Sequence, residues 1–152
     1  MRRLTLTNEG KRGFEFLEHT ADAYIAAYGE DLTEAFENAA LAMFETMTDT
    51  ESVKPVNERT ITAKGEDKQA LLYNWLERLL VLSEVEGMLF SKFRIPKIQK
   101  VKEGFRFKAK ACGEPYDPRR HRQKVGVKAV TYHRMEVNEI PGGVVLRFIL
   151  DI

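Results

Sequence analysis

Two stretches of the chain repeat apolar residues at helical spacing, whereas most of the rest repeats them at every second position. Leu32, Ala35, Phe36, Ala39, Ala40, Met43, Phe44 and Met47 fall at i, i+3 and i+4, so a helix with one apolar stripe is expected over residues 32–47. Asp31 followed by Glu34 is a capping-box-like start, with Asp in place of Ser or Thr. Leu71, Leu72, Trp75, Leu76, Leu79 and Leu80 make a second stripe, predicting a helix over about 68–82. Each large side chain on these stripes stabilises by ~1.5–3 kcal/mol on burial, before entropy is subtracted. Both stripes are therefore read as core.

The other segments read as strands: 14–17, 23–28, 57–63, 93–98, 105–111, 127–138 and 144–152. The short Ile140-Pro141-Gly142-Gly143 connection argues for an antiparallel hairpin between the last two. Strands come in runs and do not alternate strictly with helices. That pattern predicts an α+β fold, a mostly antiparallel sheet with two amphipathic helices packed on one face.

A chain of 152 residues with 43% hydrophobic side chains fits a single domain, expected here over 13–152. Residues 1–12 read as a flexible basic arm carrying Arg2, Arg3, Lys11 and Arg12. No apolar run approaches the ~20 residues of a bilayer span, and MRRLTLTNEGKRG lacks the apolar core of a secretory signal. The lone Cys112 can form neither an internal disulfide nor a Cys-x-x-Cys zinc pair. A soluble cytoplasmic setting, without a membrane partner, is expected. The formal net charge of +1 argues against a surface that coats nucleic acid as a whole.

Two features resist a purely structural reading. The last strand alternates, with Val144, Leu146, Phe148, Leu150 and Ile152 on one face, and ends without a polar tail. Asp151 and the terminal carboxylate of Ile152 are thereby expected close together. Like charges at ~4 Å and an effective dielectric of ~20 repel by roughly 4 kcal/mol, so a positive group is expected nearby. The second feature is Glu18-His19-Thr20-Ala21-Asp22, a polar turn between two short strands in which His19 and Asp22 could support acid–base chemistry. His133 reads as a core or strand-end histidine. His121 lies in the basic run Pro118-Arg119-Arg120-His121-Arg122-Gln123-Lys124, which is either a solvated loop or a contact for an anionic partner.

Taken together, these segments resemble the archease family. The resemblance is carried by His19-Thr20-Ala21-Asp22, by Leu32 through Asp49, by Val127-Lys128-Ala129-Val130-Thr131-Tyr132-His133, and by the ending Leu150-Asp151-Ile152, with Gly113-Glu114 and His121 also in place. It covers nearly the whole chain from Phe14. The resemblance implies a non-catalytic accessory protein of the RtcB-type RNA ligase, which acts in tRNA splicing and RNA repair. It would promote guanylylation and multiple turnover of the ligase, touching tRNA indirectly through that enzyme. It further implies a calcium site formed by Asp22, Asp151 and Ile152, with Mg²⁺ or another divalent cation as a substitute. Lys128 matches a lysine needed for activation, and His19 and His121 are further candidates for ligase activation or partner contact. An all-oxygen ligand set suits such a hard cation.

If the final hairpin turns near Pro141–Gly142, residue 152 pairs near Val130, and Lys128 lies just beyond the chain end. Lys128 is then either a counter-charge for the terminal carboxylate or a contact for the ligase. Other readings stay open. One is a small metal-dependent phosphoester hydrolase using Asp22, Asp151 and His19. Another is a stand-alone RNA-binding module using Arg119, Arg120, Arg122 and Lys124, with Phe14, Phe16, Tyr24 and Tyr28 as stacking platforms. A general chaperone role is a fourth.

Overall fold

The structure is a computed structural model that describes residues 13–17 and 22–152. Both helices start where expected, the first at its predicted Asp31 cap and the second behind Asp67, a cap the sequence reading did not name. Helix α1 spans Leu32–Met47, and the Asp31 side chain accepts the Glu34 N–H at 2.9 Å. Helix α2 spans Lys68–Glu86, and Asp67 accepts the Ala70 N–H at 2.7 Å. It runs one turn past the expected end at 82. The stop is Gly87, which adopts the left-handed conformation (φ 64°) that glycine reaches without a Cβ penalty.

The nine strands are β1 Gly13–Leu17, β2 Ala23–Gly29, β3 Asn57–Gly65, β4 Met88–Arg94, β5 Gln99–Val101, β6 Gly104–Pro115, β7 Ala129–Val130, β8 Glu136–Ile140 and β9 Gly143–Asp151. All recorded pairings are antiparallel, in keeping with the expected α+β class. The strands divide between two sheets where one was expected. One sheet has the order β1-β2-β9-β7, with β8 also on β9; the other has the order β3-β6-β4, with β5 also on β6. Helix α1 packs on β1, β2 and β9 and reaches β4, while α2 packs chiefly on β3. The two helices thus join the inner faces of both sheets.

That junction is aromatic. Trp75 on α2 is fully buried and donates its indole N–H to the Phe36 carbonyl of α1 at 2.9 Å, which satisfies the ring's polar atom inside the core. Phe107 meets Phe36 edge-on at 6.0 Å and Trp75 at 5.1 Å, and Phe44 meets Phe90 at 5.6 Å.

The strand expected over 93–98 begins earlier, at Met88, because Gly87 ends the helix directly before it. The single long strand expected over 127–138 is broken in two. Between Val130↔Leu150 and Glu136↔Arg147 the chain advances six residues against three on β9. The excess leaves the sheet as a turn in which the Met135 N–H donates to the Tyr132 carbonyl at 3.1 Å and Arg134 takes φ 57°. His133 therefore lies exposed on this turn and not on a strand face.

Candidate functional site: the charged end of the β2–β9–β7 sheet

Strand β9 runs between β2 and β7. On one side its last paired position is Ala23↔Leu150. One step further along that register brings Asp22 alongside Asp151. On the other side Ala129 pairs with Asp151, and the next step sets Lys128 against Ile152. The Lys128 N–H donates to the Asp151 carbonyl at 2.7 Å, which ties the β7 approach to the end of β9. Directly opposed residues of antiparallel strands share a face, with Cβ atoms about 4.5–5.5 Å apart. Asp22 and Asp151 are thus two carboxylates on one face of one sheet end. Lys128 and Ile152 lie in the alternate pleat.

Backbone pairing brings the ends of β2, β7 and β9 together, so Asp22, Asp151, Ile152 and Lys128 all lie at one end of this sheet. The register is one to two residues removed from the expected one, because the turn at 131–135 absorbs the difference. Lys128 is exposed and forms no side-chain ion pair among the described residues. His19 lies outside the described residues, as does the 1–12 arm. Among the described residues no three His, Cys, Asp or Glu side chains converge. The donor set at this end is instead two side-chain carboxylates plus the oxygens of Ile152, all of the hard type that suits calcium or magnesium.

His121 requires a correction. Its side chain is 1% exposed and so offers no surface to a partner. Nδ1 accepts the Asp117 N–H at 2.9 Å, which leaves the ring proton on Nε2, 2.8 Å from Glu114 Oε2. Glu114, itself buried, also accepts the Lys54 N–H at 2.8 Å and a two-pronged contact from Arg120 at 2.8 and 3.0 Å. The Arg120 guanidinium holds the Glu114 carboxyl down at about 2, outweighing the burial that would raise it. This network fastens the loop that leads to Lys128. The loop is pinned again where the Lys124 and Val125 N–H groups donate to the carbonyls of Met47 and Thr46.

The same network removes most of the charge on which the stand-alone RNA reading relied. Arg120 is paired with Glu114, Lys124 with buried Glu45 at 3.2 Å, and Arg122 lies 3.6 Å from Asp49. Phe14, Tyr24 and Tyr28 are buried in the sheet and present no ring face for a base.

Sequence reasoning missed Arg134, whose guanidinium lies over the Tyr24 ring at 5.1 Å. Tyr24 pairs with Ile149, on the face that Asp22 and Asp151 share. It also missed Tyr132, which stacks on Tyr73 of α2 at 4.3 Å and so anchors the turn. No strand-breaking glycine or proline marks Thr131-Tyr132-His133-Arg134-Met135, so the sequence carried no signal for this turn. A concavity of about 820 Å³ lies at the other end of β3 and β6, lined by Lys64, Asn74, Phe105 and Tyr132 among others, and not by Asp22, Asp151 or Lys128.

Fold and site therefore define a class: a small α+β protein that displays charged groups at a sheet rim. The sequence matches the Archease protein family (MTH1598/TM1083) over residues 14–152. Protein archease of Sulfurisphaera tokodaii is 48% identical over 139 residues, which is 91% of this chain and 98% of that protein. The solution structure of protein 1598 of Methanobacterium thermoautotrophicum is 47% identical, with a TM-score of 0.81, covering 92% of this chain and 99% of that one. A Thermotoga maritima structure described as an archease, possible chaperone, shares the fold at 16% identity, with a TM-score of 0.60 over 91% of this chain and 96% of that one. The chain belongs to the archease family.

Proposed function

We propose that this protein is a non-catalytic activator of an RtcB-type RNA ligase, raising the rate of ligase guanylylation and sustaining multiple turnover in tRNA splicing and RNA repair. The observation that supports the reading is the strand register, which ends β2 and β9 together next to Asp22 and Asp151 and brings β7, with Lys128, to the same end. Asp22, Asp151 and Ile152 would hold a divalent cation, calcium or magnesium. Such an ion supplies a positive centre for phosphate oxygens and leaves coordination positions open to a partner's groups.

The chain's own residues do the remainder. Asp22 and Asp151 concentrate negative charge at a rim that is accessible to a macromolecule. Lys128 offers an ammonium group on a mobile stem, suited to a phosphate as a point charge. The Glu114–Arg120–His121 network and the turn at 131–135 hold the Lys128 backbone in place, so activation depends on them indirectly.

The test is a pulse-guanylylation assay of the cognate ligase with and without the protein. Wild type is expected to stimulate the reaction at least tenfold. Asp22→Ala and Lys128→Ala are expected to abolish stimulation while melting within about 2 °C of wild type. Full stimulation by Asp22→Ala at saturation would refute the proposal, as would phosphoester turnover by the protein alone.

A further inference from the structure

Charge is not spread evenly over this molecule. Residues 92–110 hold eight lysines and arginines against a single acid, Glu103, a local charge of +7 in a chain whose net charge is +1. These residues build β4, β5 and β6, and pairing sorts their side chains. On β6, Phe107, Ala109 and Ala111 are buried toward the helices, so Arg106, Lys108 and Lys110 point the other way. Lys64 pairs with Arg106 from β3, and Arg94 pairs with Lys110 from β4. Like charges directly opposed across strands destabilise a sheet. Here two such pairs recur on one face.

Little in the chain offsets them. Among the described residues the one ion pair on this face is Lys110 with Glu58 at 3.2 Å. Beside it, a concavity of about 420 Å³ is lined by residues 106–110 of β6 and by Pro96, Lys97 and Gln99 at the β4–β5 connection. This face belongs to the second sheet, whereas the Asp22–Asp151 rim belongs to the first.

We propose that the outer face of the β3–β6–β4 sheet, centred on Arg106, Lys108 and Lys110, binds the phosphodiester backbone of RNA. Alternate residues on β6 are spaced about 6.6–6.8 Å apart, a ladder of cations along the strand. The face lacks what a protein partner requires. Stable protein interfaces have an apolar, aromatic-rich centre and are poor in lysine, whereas nucleic-acid interfaces are strongly positive and polar. No ring is presented for base stacking, because Phe105, Phe107 and Phe93 point to the opposite side of the sheet. Recognition is therefore of charge and shape, without sequence preference. The choice of RNA over DNA rests on the ligase reading above; the polyanion site does not.

The experiment is fluorescence anisotropy of a labelled RNA hairpin titrated with the full chain over a series of salt concentrations. Four phosphate contacts on duplex RNA give a log–log salt slope of roughly −3 to −4. The double variant R106E/K108E changes two outward side chains, and its fold is verified by thermal melting. It is expected to weaken binding at least tenfold and to flatten the slope by about 2. R119E/R122E, in the 117–128 loop, is expected to bind within twofold of wild type. Absence of RNA binding at low salt would overturn the proposal, and so would equal losses in the two double variants. Tighter binding of polyglutamate than of RNA would also overturn it, making the face a dock for an acidic protein. Guanylylation is scored in parallel with RNA-free ligase. Stimulation without RNA binding defeats this inference alone, and RNA binding without stimulation defeats only the ligase reading.

Discussion

Replacing Glu114 by Gln tests whether the loop leading to Lys128 is held by charge. The carboxylate accepts from the Lys54 N–H, from Arg120 twice and from His121, all between 2.8 and 3.0 Å. A carboxyl held at about 2, against its ordinary 4.5, corresponds to roughly 3 kcal/mol in favour of the charged folded form. Arg120 is 42% exposed, so solvent screening reduces the recoverable part to about 2 kcal/mol. The Gln amide adds about 1 kcal/mol by turning a donor toward groups that are themselves donors. A loss of about 3 kcal/mol lowers the melting temperature of a chain this size by roughly 6–12 °C. The depressed carboxyl also sets the direction with pH. Its stabilisation is complete above about 4.5 and disappears as the pH falls toward about 2. Circular-dichroism melts of wild type and E114Q should therefore differ most near neutrality and draw together as the pH falls from about 4.5 toward about 2. A gap below about 2 °C at neutrality, or one unchanged down to about pH 3, would refute the charge argument.

Three further outcomes are expected. Calcium at a hundredfold excess over its dissociation constant should stabilise wild type by about 2.7 kcal/mol, seen as a rise in melting temperature. Asp22→Asn should lose most of that rise; an undiminished rise would remove Asp22 from the ligand set. A Cβ at Gly113 would collide with the Leu89 carbonyl and the Phe90 backbone, so Gly113→Ala should cost at least about 2 kcal/mol in urea unfolding; a wild-type midpoint would show that β4 and β6 can separate without cost. Glu45 is 1% exposed and holds Thr50 Oγ1 at 2.6 Å and Lys124 Nζ at 3.2 Å. Glu45→Gln should destabilise by about 2–3 kcal/mol, and Lys124→Met by less, because the carboxylate keeps the Thr50 donors; equal losses would contradict that order.

Helices and strands were legible in the chain to different depths, for a physical reason. Helix α1 was readable at both ends because its stripe and its Asp31 cap are local signals. Strand pairing is non-local, and the division into two sheets depends on which β partners meet across α1 and α2; alternation along one strand does not encode this. The Asp22 and Asp151 pair came from motif resemblance, and the strand register brings the ends of β2 and β9 that carry them to the same end of the sheet. His121 was misjudged because a basic loop reads as solvated, whereas its ring is drawn inward by a buried glutamate 7 residues earlier. The basic sheet face was visible as a run of lysines and arginines. It remained unread because net charge averages it against acids located elsewhere.

The break in the expected strand 127–138 has the largest consequence for function. Were the hairpin register Ile140↔Gly143 continued without interruption, Ile152 would fall opposite Thr131, and Lys128 would project beyond the end of β9. The turn at 131–135 moves three residues out of the ladder and draws Lys128 back level with Ile152. Arg134, strained at φ 57° and stacked over Tyr24, and Tyr132, stacked on Tyr73, hold that turn from two sides. Shortening the turn would restore a regular ladder and carry Lys128 away from the two aspartates. The irregular backbone at this place is thus what sets the Lys128 backbone level with the end of β9, and a smoother strand would have carried it past that end.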